Sequence, residues 1–175
     1  QEKKDILCSC IYGIDIDIHA VEVAKFSLLI KLIEDETAPS VSEVVPILPD
    51  LGDNIQFGNS LVSQTELNGI SGANRQMMEI APFDWSTINN GCGFDVIIGN
   101  PPYVNTEGMH ALLPSAEVEI YKKKYKTSHK QFDKYFIFIE QAINKINENG
   151  LVWYIVPNKF LKIDYVNQIG KSHSA

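Results

Sequence analysis

Short apolar runs alternate with amphipathic stretches in the first half of this chain. Residues 11–16 form an apolar run that includes Asp15, and residues 20–32 then repeat apolar residues at helical spacing. A second short run covers residues 55–57, and the turn-forming sequence Gly58-Asn59-Ser60 follows it. We therefore predict a strand, a helix and a second strand.

The second half repeats this alternation. Residues 94–99 form a nearly continuous apolar run, which is typical of a parallel strand covered on both faces. Residues 104–130 are a mostly polar segment. Residues 132–146 then have helical periodicity, Asn149-Gly150 supplies a stop signal, and residues 151–156 are a fourth apolar run. The pattern predicts an α/β fold with a largely parallel sheet, whose ligands bind beyond the carboxyl ends of the strands.

Two intervening segments are less regular. Residues 64–74 are polar and rich in Gly, Asn and Ser, and residues 77–85 fit either a short helix or a crossing loop. With 175 residues and 45% hydrophobic content, the chain is long enough for one globular domain with a core of its own. We predict a single domain over residues 1–175.

Membrane and metal functions find little support in the composition. No apolar run approaches the length that spans a bilayer, and no apolar signal region follows the N-terminal residues. The three cysteines, Cys8, Cys10 and Cys92, are too few and too unevenly spaced for a disulfide framework or a four-ligand zinc site. We expect a cytoplasmic protein with reduced thiols, no membrane partner and no metal.

The charge is distributed unevenly. The chain carries a formal charge of −7, which argues against a nucleic-acid partner, but residues 1–99 contribute −10 and residues 100–175 contribute +3. A lysine-rich stretch in the second part is interleaved with tyrosines and is suited to a phosphate backbone. A solvated surface is the alternative interpretation. The lysines are Lys122, Lys123, Lys124, Lys126, Lys130 and Lys134.

Asn100-Pro101-Pro102-Tyr103 follows the predicted strand over residues 94–99 and carries candidate chemistry. A primary aromatic amine such as adenine N6 is a poor nucleophile, because its lone pair is delocalised into the ring. Two acceptors that hold both amino hydrogens would direct that lone pair at an electrophilic methyl group. The Asn100 side-chain oxygen is one acceptor, and the two prolines stiffen the turn so that a backbone carbonyl is the second.

Tyr103 offers a ring face on which a base turned out of a duplex can stack, and Gly99 lets the backbone approach closely. The alternative is that this tetrapeptide is only a rigid turn that leaves a strand. Asp15, at the end of the first strand, is placed to bind the ribose hydroxyls of an adenosine-containing cofactor. It fits equally well as a loop or helix-capping residue. Asn59, at the end of the second strand, is placed to contact the adenine edge of the same cofactor. The alternative is that Asn59 only forms a turn.

Four motifs taken together resemble the amino-methyltransferases of bacterial restriction-modification systems, and most closely the adenine-specific type II enzymes that carry methylase and nuclease in one polypeptide. The resemblance runs over nearly the whole chain, and residues 35–54 and 62–92 contribute least. In order, the motifs are Ile11-Tyr12-Gly13-Ile14-Asp15-Ile16-Asp17, Gly58-Asn59-Ser60-Leu61, Phe94-Asp95-Val96-Ile97-Ile98-Gly99-Asn100-Pro101-Pro102-Tyr103-Val104 and Gly150-Leu151-Val152-Trp153-Tyr154-Ile155-Val156-Pro157-Asn158-Lys159-Phe160-Leu161.

The resemblance implies a Rossmann-like fold, S-adenosylmethionine as cofactor and transfer of its methyl group to a flipped adenine of double-stranded DNA. It assigns four residues to the cofactor and five to catalysis or the target base. Asp15 matches the acidic residue that binds the cofactor's ribose, and Ile16 matches the apolar residue against the cofactor's adenine. Asn59, beside Ser60, stands where the family usually has an Asp that contacts the amino group of that adenine. Asn100, Pro101, Pro102 and Tyr103 match the target-base site, and Tyr165 matches the second aromatic that sandwiches the flipped base. Lys130, from the lysine-rich stretch, is the predicted contact with the substrate DNA.

The family's glycine-rich loop, which follows its first strand, is not found before residue 11. The resemblance therefore implies a truncated methyltransferase fold with a gapped sheet, weak or no cofactor binding, and no activity for residues 1–175 alone. A nuclease centre is not visible, because no spaced acidic pair is followed by Glu-x-Lys.

Two other functions fit parts of the same pattern. Methyltransferases that act on the N5 amide nitrogen of protein glutamine also present Asn-Pro-Pro-Tyr, although residues 130–138 and 156–160 look more like the DNA enzymes. An inactive nucleotide-binding module is the non-enzymatic alternative, and an intact Asn100 argues against it.

Overall fold

The computed structural model describes residues 2–34, 48–68, 73–128 and 131–158. These residues form two compact units, the first within residues 1–67 and 81–92 and the second within residues 68–80 and 93–175. Each unit combines helices with one pair of parallel strands. The predicted mixture of helices and parallel strands is confirmed. The single domain over residues 1–175 stays a prediction.

In the first unit, strands β1 and β2 pair in parallel, so that Asp15 lies opposite Phe57. Helix α2 packs against both strands. Two short 3₁₀ turns, Trp85–Thr87 and Asn89–Gly91, complete the unit. In chain order its elements are α1 (Glu2–Cys10), β1 (Gly13–Asp15), α2 (Ile18–Ile33), β2 (Ile55–Phe57) and α3 (Gln64–Leu67).

Helix α2 begins two residues earlier than the apolar periodicity predicts. The side chain of Asp17 accepts a hydrogen bond from the backbone N of His19, which satisfies one of the free amides of the first turn. Helix α1 was not predicted, because its nine residues are mostly polar and have weak apolar periodicity.

The core of the first unit joins its helices to its strands. Asn54, which is buried, donates from Nδ2 to the carbonyl oxygens of Cys8 and Ile11, each at 2.9 Å. The amide thereby supplies donors to carbonyl groups at and beyond the end of α1 and ties this helix to the start of β2. The buried apolar residues of this core are Leu7, Val21, Leu51 and Ile55.

The second unit is built around the parallel pair of β3 and β4. Helix α7 packs on β4, and helices α5 and α6 contact each other. The elements are α4 (Ala73–Ile80), β3 (Phe94–Gly99), α5 (Thr106–Leu112), α6 (Ser115–Lys124), α7 (Lys134–Lys145) and β4 (Ile146–Tyr154).

The prediction that residues 94–99 are covered on both faces is wrong for the described structure. Val96 is 54% exposed and Ile98 is 72% exposed. On β4 and just beyond it, Leu151, Trp153 and Ile155 are exposed as well. The strand itself is correctly predicted, and within the second unit no described element covers these side chains.

Asn149-Gly150 does not end a helix. Helix α7 ends at Lys145 and β4 begins directly at Ile146, with Asn149-Gly150 inside its bounds. The β3–β4 register moves from Phe94 opposite Ile146 to Val96 opposite Leu151, so residues 147–150 form an irregularity in the strand. A Cβ on Gly150 would lie 2.4 Å from Ile146 Cγ1, which explains the glycine there. Asn149-Gly150 therefore marks an irregularity within β4 and not the end of a helix.

The polar segment at residues 104–130 contains helices α5 and α6, which its composition did not predict. Their buried residues, including Met109 and Tyr121, are too sparse to stand out in a polar sequence. The segment at residues 77–85, undecided from the sequence, is the end of helix α4, a loop in which Ala81 has φ +50°, and the start of a 3₁₀ turn.

No helix in the described ranges is long and apolar enough to cross a membrane. Within the same ranges, no group of His, Cys, Asp and Glu side chains is arranged to hold a metal ion.

Candidate active site

Asn100-Pro101-Pro102-Tyr103 forms the turn that leaves β3. Pro101 is buried, whereas Asn100, Pro102 and Tyr103 are exposed. The carbonyl oxygen of Gly99 accepts from the backbone N of Ile155 at 3.1 Å, so the β3–β4 pairing continues up to the turn. The turn therefore starts from a fixed backbone and presents its Asn and Tyr side chains at the surface of the second unit.

The phenol of Tyr103 is held at two points. Its hydroxyl lies 2.8 Å from Asn100 Oδ1 and 2.8 Å from the backbone oxygen of Ile155. A phenol has a single hydrogen, so it donates to these two acceptors in alternation. An amide oxygen has two acceptor sites, and the bond from Tyr103 therefore orients Asn100 while one site stays available for a further donor.

A second tyrosine supports the ring of Tyr103. The ring of Tyr135 meets that of Tyr103 edge-on, with centroids 6.2 Å apart and planes at 85°. Tyr135 is fully buried, and Tyr103 is 51% exposed. Burial, with a smaller contribution from the charge of Asp133, raises the pKa of Tyr135 to about 12. Sequence analysis included Tyr135 only among the tyrosines interleaved with the lysine-rich stretch, and it did not place this residue at the Asn-Pro-Pro-Tyr turn.

The residues after the turn are bonded to the start of α7, and we call residues 104–106 with 132–134 the clasp. Lys134 N donates to Val104 O at 2.7 Å, and Asn105 forms a β-bridge with Asp133. The hydroxyl oxygen of Thr106 accepts from Phe132 N at 2.8 Å and donates to Phe132 O at 2.9 Å. The clasp therefore fixes α7 relative to the turn that carries Asn100.

A buried ion pair joins α7 to α6. Lys134 Nζ lies 3.6 Å from Glu117 Oε1 and 5.4 Å from the centre of the Tyr121 ring. The Tyr121 hydroxyl also donates to Glu117. Burial lowers the pKa of Lys134, and the charge of Glu117 opposes that shift. Lys134 therefore serves the packing of the second unit and is not one of its exposed cations.

Asp15, at the end of β1, and Asp17, two residues later, form different hydrogen bonds. Asp15 Oδ1 accepts from Asp17 N at 2.8 Å, and Asp17 caps α2. Capping thus falls to Asp17, and the exposed Asp15 stands at the carboxyl end of the strand. Ile16, between them, is 51% exposed. An exposed carboxylate beside an exposed apolar side chain fits a ribose and an adjoining purine.

Asn59 and Ser60 follow the neighbouring strand β2. Asn59 is buried, and its Oδ1 accepts from Leu61 N at 3.1 Å, which is a turn-forming bond. The carbonyl oxygen of Ser60 accepts from Trp85 Nε1 at 3.0 Å. This geometry agrees with the turn-forming interpretation of Asn59, and its contact with a cofactor stays a prediction.

The structure thus brings the predicted residues together within each unit. Asp15 is the last residue of β1, Asn59 follows the adjacent parallel strand β2, and Asn100 bonds Tyr103 in the second unit. Lys130 and Tyr165 lie outside the described residues. Of the other predicted lysines, the exposed ones are Lys122, Lys123 and Lys126.

A cleft of about 300 Å³ lies beside the clasp and does not include the Asn-Pro-Pro-Tyr turn. Its walls come from both segments of the clasp and from the first turns of α5 and α7. The lining residues are Asn105, Thr106, Glu107, Gln131, Phe132, Asp133 and Phe136.

Comparison with known proteins identifies the class to which these features belong. The model of the Eco57I restriction-modification methylase family matches residues 9–173. The match covers both units, including Asp15, Asn59 and the Asn-Pro-Pro-Tyr turn, and the chain belongs to this family.

Two individual relatives have names that agree with this family description. The chain is 46% identical over 171 residues to the type II restriction enzyme and methyltransferase RM.Eco57I of Escherichia coli, a match that covers 98% of the chain and 16% of that protein. It is 32% identical over 78 residues to the type II methyltransferase M.BstVI of Geobacillus stearothermophilus, covering 45% of the chain and 13% of the relative. The chain therefore spans less than a fifth of the length of either protein.

Proposed function

We propose that the protein is an S-adenosylmethionine-dependent DNA adenine-N6 methyltransferase of a restriction-modification system. The observation that carries this proposal is the bond from the Tyr103 hydroxyl to Asn100 Oδ1, in a rigid turn at the carboxyl end of a parallel strand. Family membership and the names of the relatives support a methylase of this kind.

In this proposal Asn100 Oδ1 accepts one hydrogen of the adenine amino group, and a backbone carbonyl of the Pro101-Pro102 turn accepts the other. Together they direct the nitrogen lone pair, which is catalysis by orientation and electrostatics. Tyr103, half exposed, stacks on the base after it has left the duplex. Its bond to Asn100 prevents the amide from rotating away from the amino group.

The first unit would hold the cofactor, which supplies an electrophilic methyl group when it is bound. The donor set fits an adenosine, because Asp15 has an exposed carboxylate for ribose hydroxyls and Ile16 has an exposed apolar side chain for the purine. Asn59 and Ser60 follow the neighbouring parallel strand, at the same edge of the β1–β2 pair. We propose that the two units belong to one Rossmann-like domain.

Double-stranded DNA is the proposed substrate, and the exposed lysines of the second unit supply charge for its phosphates. Lys122 and Lys123 lie in the last turn of α6, and Lys126 follows the helix. Lysines there add to the positive charge that residues 100–175 carry. With DNA as substrate, we place the protein in the cytoplasm.

A glutamine-N5 methyltransferase is the second candidate, because a planar amide nitrogen can use the same pair of acceptors. The comparisons favour DNA, since the matching family is one of restriction-modification methylases and RM.Eco57I is named as a restriction enzyme and methyltransferase. An inactive nucleotide-binding module would retain the first unit but would gain nothing from an oriented Asn100.

The test is methyl transfer by the full-length protein from labelled S-adenosylmethionine to unmethylated DNA, followed by digestion to nucleosides. We expect label in N6-methyladenine, and we expect Asn100→Ala to abolish it. Asn147→Ala is the matched control, because that exposed Asn lies near the opposite end of β3 and bonds Asp95. Label in N4-methylcytosine, or in a protein substrate, would contradict the proposal.

A further inference from the structure

Tyr103 needs support from outside its own turn. A flipped base would stack on a side chain that is half exposed and whose hydroxyl reaches Asn100. Hydrogen bonds fix the far end of the phenol, but they leave the ring able to rotate about its long axis. A contact along the ring is therefore needed to set the plane on which a base can stack.

The ring of Tyr135 supplies this contact. The two rings meet at 85° with centroids 6.2 Å apart, the edge-to-face geometry that aromatic pairs prefer. Tyr135 also stacks against Phe136, with centroids 4.4 Å apart. Because Tyr135 is fully buried, its own ring has little freedom, and it restricts the motion of Tyr103.

The backbone beneath Tyr135 is fixed to the catalytic turn. The clasp bonds residues 104–106, directly after Tyr103, to residues 132–134, directly before Tyr135. Lys134, the residue next to Tyr135, is in turn paired with Glu117 on α6. Both tyrosines are thus anchored at adjoining points of one hydrogen-bonded framework.

The hydroxyl of Tyr135 has no role in this contact. It is buried and has no hydrogen-bond partner in the described part of the chain. A buried polar group without a partner destabilises the fold, so the packing of the ring does not depend on it. The ring is therefore the functional part of this side chain, and phenylalanine should replace it.

We propose that Tyr135 is a positioning residue, which holds the ring of Tyr103 in the plane on which the target base stacks. This inference rests on the proposed function, and it adds to that function a residue that would touch neither base nor cofactor. Its effect should fall on the chemical step and on the stacking of the base, with little change in the binding of either substrate.

The test compares Tyr135→Phe, which keeps the ring, with Tyr135→Leu, which removes it, in the full-length protein. We expect Tyr135→Leu to lower kcat by about tenfold or more, with both KM values changed less than about twofold. We expect Tyr135→Phe to keep the wild-type kcat. Tyr125→Leu is the matched control, because it removes a buried tyrosine of the same unit that bonds Gln141 instead.

A spectroscopic measurement separates positioning from general loss of packing. A duplex that carries 2-aminopurine at the methylated position reports stacking of the extruded base through its emission. We expect brighter emission with Tyr135→Leu than with wild type, because stacking on Tyr103 is weakened, and wild-type emission with Tyr135→Phe and Tyr125→Leu. If Tyr135→Leu does not fold, Tyr135→Met, whose flexible side chain fills more of the space, takes its place.

An active wild-type enzyme with unchanged kcat and emission in the ring-deleted variant would overturn the inference. Equal damage by Tyr135→Phe and Tyr135→Leu would also overturn it, since the ring would then not be the functional part. A wild-type protein that methylates no DNA would instead refute the proposed function, so the two failures are distinguishable.

Discussion

The hydroxyl of Tyr103 lies 2.8 Å from Asn100 Oδ1, and this bond joins the two side chains that the proposed reaction needs most. It links the residue that would stack on the base to the residue that would accept its amino hydrogen. We therefore expect Tyr103→Phe, which keeps the ring, to lower kcat by about two- to twelvefold, because one hydrogen bond contributes about 0.5–1.5 kcal/mol.

Tyr103→Ala provides the comparison for this prediction. It removes the ring as well as the bond, and a base–aromatic stack adds about 1–3 kcal/mol by alanine substitution. The loss of kcat/KM should accordingly be at least about fivefold larger than in Tyr103→Phe. Equal rates for the two variants in steady-state methylation would show that the ring carries no stacking.

Asp15 and Asp17 give a matched pair of variants for cofactor binding. We expect Asp15→Asn to weaken S-adenosylmethionine binding by about tenfold or more, since a charged acceptor for the ribose hydroxyls is lost. Asp17→Asn should bind normally, because Asn caps a helix about as well as Asp. Isothermal titration calorimetry measures both, and equal affinities would remove Asp15 from the cofactor site.

Gly58, between β2 and Asn59, has φ +158°, and a Cβ there would lie 2.9 Å from Phe83 Cδ2. We expect Gly58→Ala to destabilise the protein by about 1–3 kcal/mol, through overpacking and backbone strain. Gly52→Ala is the control, because its nearest neighbour is the side chain of Asp50. A thermal melt shows the difference, and identical melting temperatures would contradict the prediction.

The buried pair of Lys134 and Glu117 makes a stability prediction for the second unit. Lys134→Met leaves Glu117 buried without its cation and should cost about 3–5 kcal/mol. Adding Glu117→Gln, which keeps an acceptor for the Tyr121 hydroxyl, should restore most of that loss. Urea denaturation of the two variants tests the coupling, and strictly additive losses would exclude it.

Alkaline pH should destabilise the fold through Tyr154. Burial raises the pKa of Tyr154 from 10.0 to about 12. Above pH 10 the unfolded chain therefore loses this proton while the folded chain keeps it, and the free energy of unfolding falls until the pH passes about 12. Urea denaturation between pH 9 and pH 11 should show a shallower decline for Tyr154→Phe than for wild type.

The sequence predicted the order of the strands and the long helices, because each has a clear apolar run or clear apolar periodicity. It failed at α5 and α6, whose buried side chains are spaced among lysines and glutamates in a segment that reads as polar. It also misplaced Asn149-Gly150, since a glycine that ends a helix and one that fits an irregular strand have the same local signature.

The candidate site, too, could be predicted only in part from the sequence. Asn100 and Tyr103 could be predicted, because the motif is contiguous and follows a strand. The contact between Tyr103 and Tyr135 joins residues 32 positions apart and depends on the clasp, which backbone hydrogen bonds create. No pattern in one sequence indicates which of several tyrosines will lie beneath another.

The chain has two tryptophans, and the structure places one in each unit, Trp85 in the first and Trp153 in the second. The indole of Trp85 is partly buried and bonded to Ser60, whereas that of Trp153 is 69% exposed on β4. Their emission maxima should therefore differ. Replacing either one by phenylalanine gives an optical probe confined to the cofactor-binding half or to the base-binding half of the proposed enzyme.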